Sequence, residues 1–390
     1  MVKRKRKIEN RYKFDRFFIH VLLFLVVPVL KGIFGIKKSE KMSLPEGGCM
    51  VLYNHVTDLD VVWIIDAFRT HMYCVASEHI VRFPVAGKLI RYFFAPILIK
   101  KSTGGAGAVM EMHRHIKAGH NILLAPEGVR TGNGRTGAIS PVIASVIKKL
   151  KCPVVTVRIH GGFMTTPRWG RGIRRGQMTV EKVSQYSKEE ISAMSADDLH
   201  ARICDDLAED AYSNPVAHKG RRRAENIELQ LYLCPSCRQY FTIRSEKNDF
   251  FCSCGLHGTV NEYGELSGDK IPYRTIGEWD GWEKNYIKDY PLPKKESAEE
   301  VTLLQSVGPA IRSIDKEHGN ALLDRGNLVL TNLALSVGDT KIPIGEIAEV
   351  SIISYGILLI ATKEGQYFEI KGKQKYPGEA YMNFIHKLKS

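Results

Sequence analysis

The sequence has no internal repeat, no low-complexity tract and no long uninterrupted apolar run near its N-terminus. Residues 17–30 are the most apolar stretch there, and as a helix these 14 residues would extend about 21 Å, short of the roughly 30 Å core of a bilayer. No A-x-A-like cleavage site follows; Lys37, Lys38 and Lys41 follow instead, which excludes a cleaved signal peptide. We predict a segment that lies in or dips into one leaflet, with a single short span as the alternative. A buried core helix would leave the basic flanks unexplained.

A disulfide framework is also missing. Four of the eight cysteines cluster late in the chain, and the other four are scattered, three of them in apolar surroundings. The scattered cysteines are Cys49, Cys74, Cys152 and Cys204. This distribution excludes a disulfide-stapled secreted protein and indicates a reducing, cytoplasmic compartment.

Acidic side chains are outnumbered: the formal charge is +14, and it is unevenly placed. Residues 1–16 carry eight basic and two acidic side chains, a net +6, directly before the apolar stretch. A basic balance suits nucleic acid or an anionic membrane face equally well. Because this charge adjoins an apolar segment, we predict a phospholipid surface as the partner and expect no nucleic acid.

With 390 residues, 44% of them hydrophobic, the chain is long enough for two or three domains with their own cores. Composition predicts five segments: a basic N-terminal membrane anchor (1–45), an α/β domain (46–213), a basic linker with a cysteine cluster (214–260), a linker rich in glycine, proline and charge (261–300) and an antiparallel β domain with a C-terminal helix (301–390). Ser195 is the predicted N-cap of a helix late in the α/β domain.

Short apolar runs alternate with longer helix-like segments in the α/β domain. The runs at 49–53, 121–125 and 153–157 are typical of strands, so we predict a mostly parallel sheet covered by helices. Ligand sites in such sheets form outside the carboxyl ends of the strands. His55 follows the first strand and the loop PEGVR (126–130) follows the second. Both loops open into one crevice if these strands are parallel neighbours.

The first loop contains NHVTDLD, with His55 five residues before Asp60. One interpretation is structural: Thr57 and Asp60 form a capping box that starts a helix at 61–65, with His55 exposed beside it. The other is chemical: His55 is a general base, and Asp60 holds its other ring nitrogen. The two are compatible, and in a chain with 13 histidines the spacing alone is weak evidence.

The second loop combines a carboxylate, a glycine and an arginine within four residues. Arginine offers a planar fork that fits a phosphate monoester, and glycine lets the backbone approach a ligand closely. A surface turn with a local Glu127–Arg130 pair would use the same residues. Phosphate recognition is therefore a hypothesis that depends on the neighbouring loop.

Together, NHVTDLD, PEGVR and the strand CPVVTV resemble the glycerolipid acyltransferase family, which includes the lysophosphatidic acid acyltransferases. The resemblance covers about residues 35–213 and identifies the α/β domain as an acyltransferase domain. It implies catalytic roles for two side chains and binding of the acceptor's phosphate by three residues. These are catalytic His55 and Asp60, and phosphate-binding Glu127, Gly128 and Arg130.

The sequence departs from the family pattern in three places. A further family block carries a basic residue, typically arginine, after an apolar strand, and Lys101 in ILIKKSTGG is the nearest candidate for phosphate binding. Lysine lacks the bidentate geometry of arginine. Val129 stands where the family commonly has threonine, and the loop TGNGRTGAIS after Arg130 is unusual.

The implied activity is transfer of a fatty acyl group from a thioester to the sn-2 hydroxyl of lysophosphatidic acid, giving phosphatidic acid at the cytoplasmic face of the membrane. The donor is acyl carrier protein (acyl-ACP) or coenzyme A (acyl-CoA). Two alternatives stay open: an acyltransferase for another lysophospholipid or lipid-linked acceptor, and a non-catalytic membrane-tethered protein that binds lipid or a partner. The complete set of His55, Asp60, Glu127 and Arg130 favours the enzyme, because a binding protein has no need of it.

The late cysteines form two close pairs, Cys234 with Cys237 and Cys252 with Cys254. This spacing predicts a zinc ribbon in which four thiolates hold a structural zinc ion with no open coordination position. The second pair is C-x-C, tighter than the commoner C-x-x-C, so His257 is an alternative to Cys252 or Cys254. Four free thiols are the remaining interpretation, which the small size of the segment disfavours.

Two other segments carry weaker signals. The arginine-rich stretch 168–176 either binds headgroups or an acidic acyl carrier, or is a solvated loop. Residues 301–390 resemble the PH-like or GRAM-like superfamily in their strand rhythm, which implies a module that binds lipids or partners. We expect this module and the ribbon to position the catalytic region or recruit a partner rather than perform chemistry.

Overall fold

The N-terminal segment is one long helical stretch in the computed structural model, which describes residues 2–36, 41–77, 86–99, 105–293, 299–314 and 320–390. Helix α1 (Val2–Val21) passes through a π-helical turn (Leu22–Val26) into α2 (Val27–Phe34). Arg11–Phe34, 24 residues, is long and apolar enough to cross a membrane by length and composition. It extends beyond residues 17–30 because Pro28 lies in the first turn of α2, where its missing N–H is tolerated.

A six-stranded sheet forms the centre of the α/β domain. Its strands are β1 (Met50–Tyr53), β2 (Met72–Ser77), β3 (Ile97–Ile99), β4 (Asn121–Leu124), β5 (Val154–His160) and β6 (Thr179–Tyr186). The order is β3-β2-β4-β1-β5-β6, with only β6 antiparallel to its neighbour. The predicted mostly parallel sheet is therefore confirmed.

Helices cover both faces of this sheet. They are α3 (Asp60–Phe68), α4 (Ala86–Phe93), α5 (Ala106–Lys117), α6 (Val142–Leu150), α7 (Gly162–Thr165), α8 (Lys188–Ala193) and α9 (Ala196–Leu207). Side chains alternate along β1, so Met50 and Leu52 pack with α5, α6 and α9, whereas Val51 and Tyr53 pack with α3 and the N-terminal helices. Ser195 caps α9 as predicted, accepting a hydrogen bond from the backbone N–H of Asp198.

The cysteine-rich region is a small antiparallel sheet. After a 3₁₀ turn (Ile227–Leu229) come β7 (Ile243–Glu246), β8 (Asp249–Cys252), β9 (His257–Val260) and β10 (Leu266–Asp269), in the order β10-β9-β8-β7. Helix α10 (Ile276–Lys288) follows. The prediction of a linker at 261–300 is therefore wrong, since β10 and α10 lie within it.

Helix α10 is part of a core rather than a connection. Trp279 is fully buried, and its Nε1 donates a hydrogen bond to the carbonyl of Leu233 (3.0 Å). The backbone N–H of Leu233 in turn donates to the buried carboxyl of Glu283 (2.6 Å). Composition misleads here because this helix buries acidic side chains that a linker would expose to water.

The C-terminal region is an antiparallel β domain closed by a helix, as predicted, but it has two sheets. Its strands are β11 (Thr302–Ser306), β12 (Pro309–Ile314), β13 (Asn320–Arg325), β14 (Leu328–Thr331), β15 (Ala334–Val337), β16 (Thr340–Pro343), β17 (Ile347–Ser354), β18 (Ile357–Thr362) and β19 (Tyr367–Gly372). The sheets are β11-β14-β15-β16 and β13-β12-β19-β18-β17. A 3₁₀ turn (Ile344–Glu346) precedes β17, and α11 (Gly378–Lys389) packs on the core through Tyr381 and Phe384.

The chain divides into two compact units, residues 1–168 with 172–220 and residues 169–171 with 221–390. In the second unit, Tyr232, Leu233 and Ile287 share one core with the two β sheets and α11. The ribbon, the segment after it and the β domain thus fold together, although composition predicts them as separate segments.

Candidate active site

His55 lies just beyond β1, and its ring contacts Asp60 at the start of α3. Nδ1 of His55 is 2.8 Å from Oδ2 of Asp60, with the histidine side chain 28% exposed and the aspartate 1% exposed. An imidazole that donates its Nδ1 proton to a buried carboxylate presents Nε2 as its basic nitrogen. This is the geometry that the chemical interpretation of the spacing requires.

Asp60 organises the whole loop. Its Oδ2 also accepts a hydrogen bond from the N–H of Val56 (2.8 Å), and Oδ1 accepts from the N–H and the hydroxyl of Thr57 (2.8 and 2.6 Å). The predicted capping box is only half formed, because the Thr57 hydroxyl accepts from the N–H of Leu59 (3.1 Å) and Leu59 is the N-cap of α3. The loop is folded around the Asp60 carboxylate, which fixes the imidazole.

Asn54, which sequence reasoning missed, sets the position of the loop. Its side chain is fully buried, donates to the carbonyl of Ile159 (3.0 Å) and accepts from the N–H of the same residue (2.7 Å). These bonds extend the pairing of β1 with β5 one residue beyond Tyr53. The only sequence signal is an amide side chain directly after an apolar run, and its meaning depends on a strand about a hundred residues away.

The PEGVR loop lies beside the His55 loop because β1 and β4 are parallel neighbours, the arrangement on which the predicted crevice depends. Glu127 accepts hydrogen bonds from the N–H of His55 (2.7 Å) and of Gly137 (2.5 Å). The N–H of Thr131 donates to the carbonyl of His55 (2.9 Å). The second loop therefore holds both backbone polar groups of the histidine.

Glu127 is thus used inside the protein, although the resemblance implies a role at the acceptor's phosphate. Burial raises the pKa of Glu127 to about 7, against the opposing effect of the N–H donors of His55 and Gly137. Its contacts are those of a residue that positions the His55 loop.

Gly128 and Arg130 are placed differently from Glu127. Gly128 has a φ of +71°, a backbone conformation that favours glycine. A Cβ atom at this position would meet no other atom within 4 Å. The Arg130 side chain is buried, at 8% exposed; one terminal nitrogen pairs with the 87% exposed Asp58 (2.6 Å), and the other donates to the carbonyl of Thr166 (2.6 Å). Arg130 therefore has an exposed partner, whereas both contacts of Glu127 are backbone groups of the protein.

The other predicted basic groups divide into two cases. Lys101 lies outside the described residues. In the arginine-rich stretch, Arg168 donates to the carbonyl of Arg130 (3.4 Å), Arg174 is buried, and Arg175 donates to the carbonyl of Gly32 in α2 (3.0 Å). Arg174 is therefore packed within the first unit and Arg168 is partly buried there, whereas Arg175 is exposed and tied to α2 by one hydrogen bond.

The four late cysteines converge in the second unit. Sγ of Cys234 is 3.7 Å from that of Cys254, Sγ of Cys237 is 3.8 Å from that of Cys252, and all four lie within 4.8 Å of one another. A tetrahedral zinc site with Zn–S bonds of about 2.3 Å has S···S edges of about 3.8 Å. The four sulfurs therefore fit a zinc ion, and His257, exposed at the start of β9, is outside this group.

Comparisons with known proteins find similar solved structures and a matching family model. Among solved structures, the 1-acyl-sn-glycerophosphate (LPA) acyltransferase PlsC from Thermotoga maritima is similar at 18% identity and a TM-score of 0.36, over 51% of this chain and 94% of that one. The N-terminal PH domain of human ARAP2 is similar at 12% identity and a TM-score of 0.16, over 25% of this chain and 82% of that one. No curated protein matches the chain.

A model of the Acyltransferase family matches residues 35–160. This range contains the His55 and PEGVR loops and the strands that bring them together. The match places an Acyltransferase-family domain in the part of the chain that carries these two loops.

Proposed function

We propose that this acyltransferase moves a fatty acyl group from a thioester to the sn-2 hydroxyl of lysophosphatidic acid, giving phosphatidic acid. The observation that carries the proposal is the His55–Asp60 pair at 2.8 Å, with the buried Arg130 on the loop of the neighbouring strand. A base and a phosphate-binding group in one crevice suit an acceptor that has both a hydroxyl and a phosphate.

The mechanism needs no covalent acyl-enzyme. Nε2 of His55 takes the proton of the acceptor hydroxyl as its oxygen attacks the thioester carbonyl. Asp60 holds the ring in the required tautomer and stabilises the imidazolium. Collapse of the tetrahedral intermediate breaks the C–S bond, and the leaving thiolate of the acyl carrier protein or coenzyme A takes the proton from His55. The ester forms, and the base returns to its starting state.

Arg130 accounts for the choice of a phosphorylated acceptor. Its guanidinium is fixed by the carbonyl of Thr166, and Asp58 is the only exposed group paired with it among the described residues. A phosphate that joins or displaces this carboxylate would gain a charge-assisted hydrogen bond. Other lysophospholipids carry phosphate too, so the headgroup is the part of the proposal that needs direct comparison of acceptors.

The test is acyl transfer by membranes that contain the wild-type chain, His55→Ala or His113→Ala, with both donor types offered. His113, a half-buried histidine on α5, is the matched control. We expect phosphatidic acid from the wild type and from His113→Ala, and a loss of about 10²–10⁴-fold for His55→Ala with lysolipid binding retained. Activity on another lysophospholipid alone would change the acceptor. Inactivity of the folded wild type with every thioester would favour the membrane-tethered binding protein.

We also propose that the N-terminal helices attach the enzyme to the cytoplasmic face of a membrane. Ile19, Leu23 and Val27 are buried against the rest of the first unit. The other side of the helices exposes Phe17, Phe24, Leu25, Val26, Val29 and Ile33. Lys31 pairs with the buried Asp66 of α3, so the helix that begins with Asp60 is fastened to the anchor. Flotation of the full chain with phospholipid vesicles tests this attachment.

Finally, we propose that Cys234, Cys237, Cys252 and Cys254 hold a structural zinc ion. Four sulfurs leave no open coordination position, so the ion would stabilise the ribbon and supply no reaction chemistry. Elemental analysis of the purified chain tests the proposal, with one zinc per chain as the expected result.

A further inference from the structure

Helix α4 lies along the N-terminal anchor and is held there by aromatic contacts. The rings of Phe18 and Phe93 stack with centroids 4.3 Å apart, and Phe14 meets Tyr92 edge-on at 5.6 Å. The guanidinium of Arg11 lies over the Tyr92 ring at 5.7 Å. The position of α4 relative to α1 is therefore fixed by three residues of α1.

The outer side of α4 is exposed, apolar and basic. Leu89 and Tyr92, three residues apart and therefore on one face of the helix, are 51% and 56% exposed. Lys88 and Arg91 are exposed beside them. Tyrosine, leucine and cations on one short helix are the composition of elements that lie at a membrane surface.

The depth of α4 along the anchor follows from its contacts. Its aromatic contacts are with residues 11–18, where the basic part of α1 gives way to the apolar part, and the exposed apolar residues Phe24, Val29 and Ile33 lie further along the anchor. If the latter lie in the hydrocarbon, α4 lies at the level of the headgroups. The exposed Phe14 and Tyr92 make its surface continuous with that of the anchor.

We propose that α4 is a second membrane-contacting element, which places Leu89 and Tyr92 at the interface of an anionic leaflet with Lys88 and Arg91 among the headgroups. The inference rests on the membrane attachment proposed above. Each cation near an anionic surface favours docking about 5-fold, so this pair contributes about 30-fold to the docking of α4. With α4 and the anchor both in contact with the membrane, the first unit has one fixed orientation. A single helix in contact would leave the unit able to rotate about that helix.

The test places a tryptophan at the proposed interface and asks whether lipid reaches it. Tyr92→Trp is compared with Val142→Trp, which replaces an exposed apolar residue on α6, and with the wild type to subtract the native tryptophans. Each full chain is floated with vesicles of zwitterionic or mixed zwitterionic and anionic phospholipid, brominated at a shallow acyl position. We expect quenching for Tyr92→Trp, stronger in anionic vesicles, and none for Val142→Trp.

Charge is tested in the same assay. Lys88→Gln combined with Arg91→Gln should reduce the quenching at position 92, whereas Lys117→Gln combined with Lys149→Gln, exposed cations on α5 and α6, should not. A chain that floats without quenching at position 92 overturns the inference but leaves the anchor intact, and acyl transfer is measured separately. Equal quenching in both lipid compositions refutes the anionic preference, and a chain that does not float refutes both the anchor and α4.

Discussion

The His55 loop, for which we propose the catalytic role, and the cysteine cluster are both marked by short motifs, but different forces hold them together. In the His55 loop, four hydrogen bonds from the protein converge on Asp60, and the backbone of His55 is held by Glu127 and Thr131. In the cluster, the nearest partners of the sulfurs include one another, at 3.7 and 3.8 Å. The protein alone completes the first site, whereas we propose that an ion completes the second.

Metal removal is the change that should separate the two regions most. Apparent binding free energies of structural zinc are about 10–16 kcal/mol at neutral pH, and such binding is coupled to folding. We expect a chelator to unfold the ribbon and to release α10, which is hydrogen-bonded to Leu233 next to Cys234. Hydrogen exchange should rise sharply in β7–β10 and α10 but not in β1, β4 and β5.

Two substitutions control this experiment. Cys237→Ser should lower the zinc content, whereas Cys204→Ser, at a half-buried cysteine of the first unit, should leave it unchanged. Unchanged exchange in the ribbon after complete metal removal would show that the thiols pack stably without an ion.

Asp60→Asn should have the next largest effect, on the catalytic loop alone. An amide cannot accept the Nδ1 proton and all of the loop's hydrogen bonds at once, so the imidazole is left in the wrong tautomer. By analogy with hydrolase triads we expect kcat to fall about 10⁴-fold. Zinc content should not change, and Asp197→Asn, an exposed acid on α9, should retain activity. A change in KM alone would contradict the role given to Asp60.

Sequence reasoning locates both sites where the determining contacts are local. The His55–Asp60 pair spans five residues, and each cysteine pair spans three or fewer, so short motifs point to them once their neighbouring motifs are read with them. Asn54 and Glu127 are different, because their partners Ile159 and His55 lie 105 and 72 residues away. The meaning of those two side chains depends on which strands are neighbours.

Predictions from composition are wrong where a segment places residue types in positions they rarely occupy, such as an acidic side chain in a core or a proline within a long helical stretch. Helix α10 carries the charge of a linker but buries Glu283 and Trp279. The anchor helix continues through Pro28 because that residue falls in a first turn. Neither outcome is visible in the sequence, since each depends on the helix boundary or on the core that the segment meets.

Glu127→Gln should have a smaller effect that depends on pH. Burial raises the pKa of Glu127 from 4.5 in the absence of the fold to about 7. The folded chain therefore binds the Glu127 proton more tightly than the unfolded chain does. The resulting stabilisation of the fold is complete below pH 4.5 and is lost as the pH rises to about 7. Glutamine, which stays neutral, should flatten this part of the stability curve.

The measurement is the urea midpoint of the first unit at pH 5 and pH 7.5. The wild type should lose more stability over that interval than Glu127→Gln, and Glu189→Gln, an exposed acid on α8, should follow the wild type. Because the amide has one acceptor for the two N–H groups of His55 and Gly137, kcat should also fall about 10- to 100-fold. Equal slopes for all three chains would contradict the buried titration.

Asp58→Asn should have the smallest effect. Unlike the substitutions above, it should improve the enzyme's use of an anionic acceptor. Asp58 is almost fully exposed and pairs with Arg130, so it competes with the acceptor's phosphate for that guanidinium. Exposed ion pairs contribute about 0.2–1 kcal/mol, and the KM for lysophosphatidic acid should fall by up to about 5-fold with kcat unchanged. For lysophosphatidylethanolamine, whose ammonium group would meet Asp58, KM should rise instead. Asp205→Asn, at an exposed aspartate on α9, should change neither value. A higher KM for lysophosphatidic acid would mean that Asp58 holds Arg130 in place rather than competing for it.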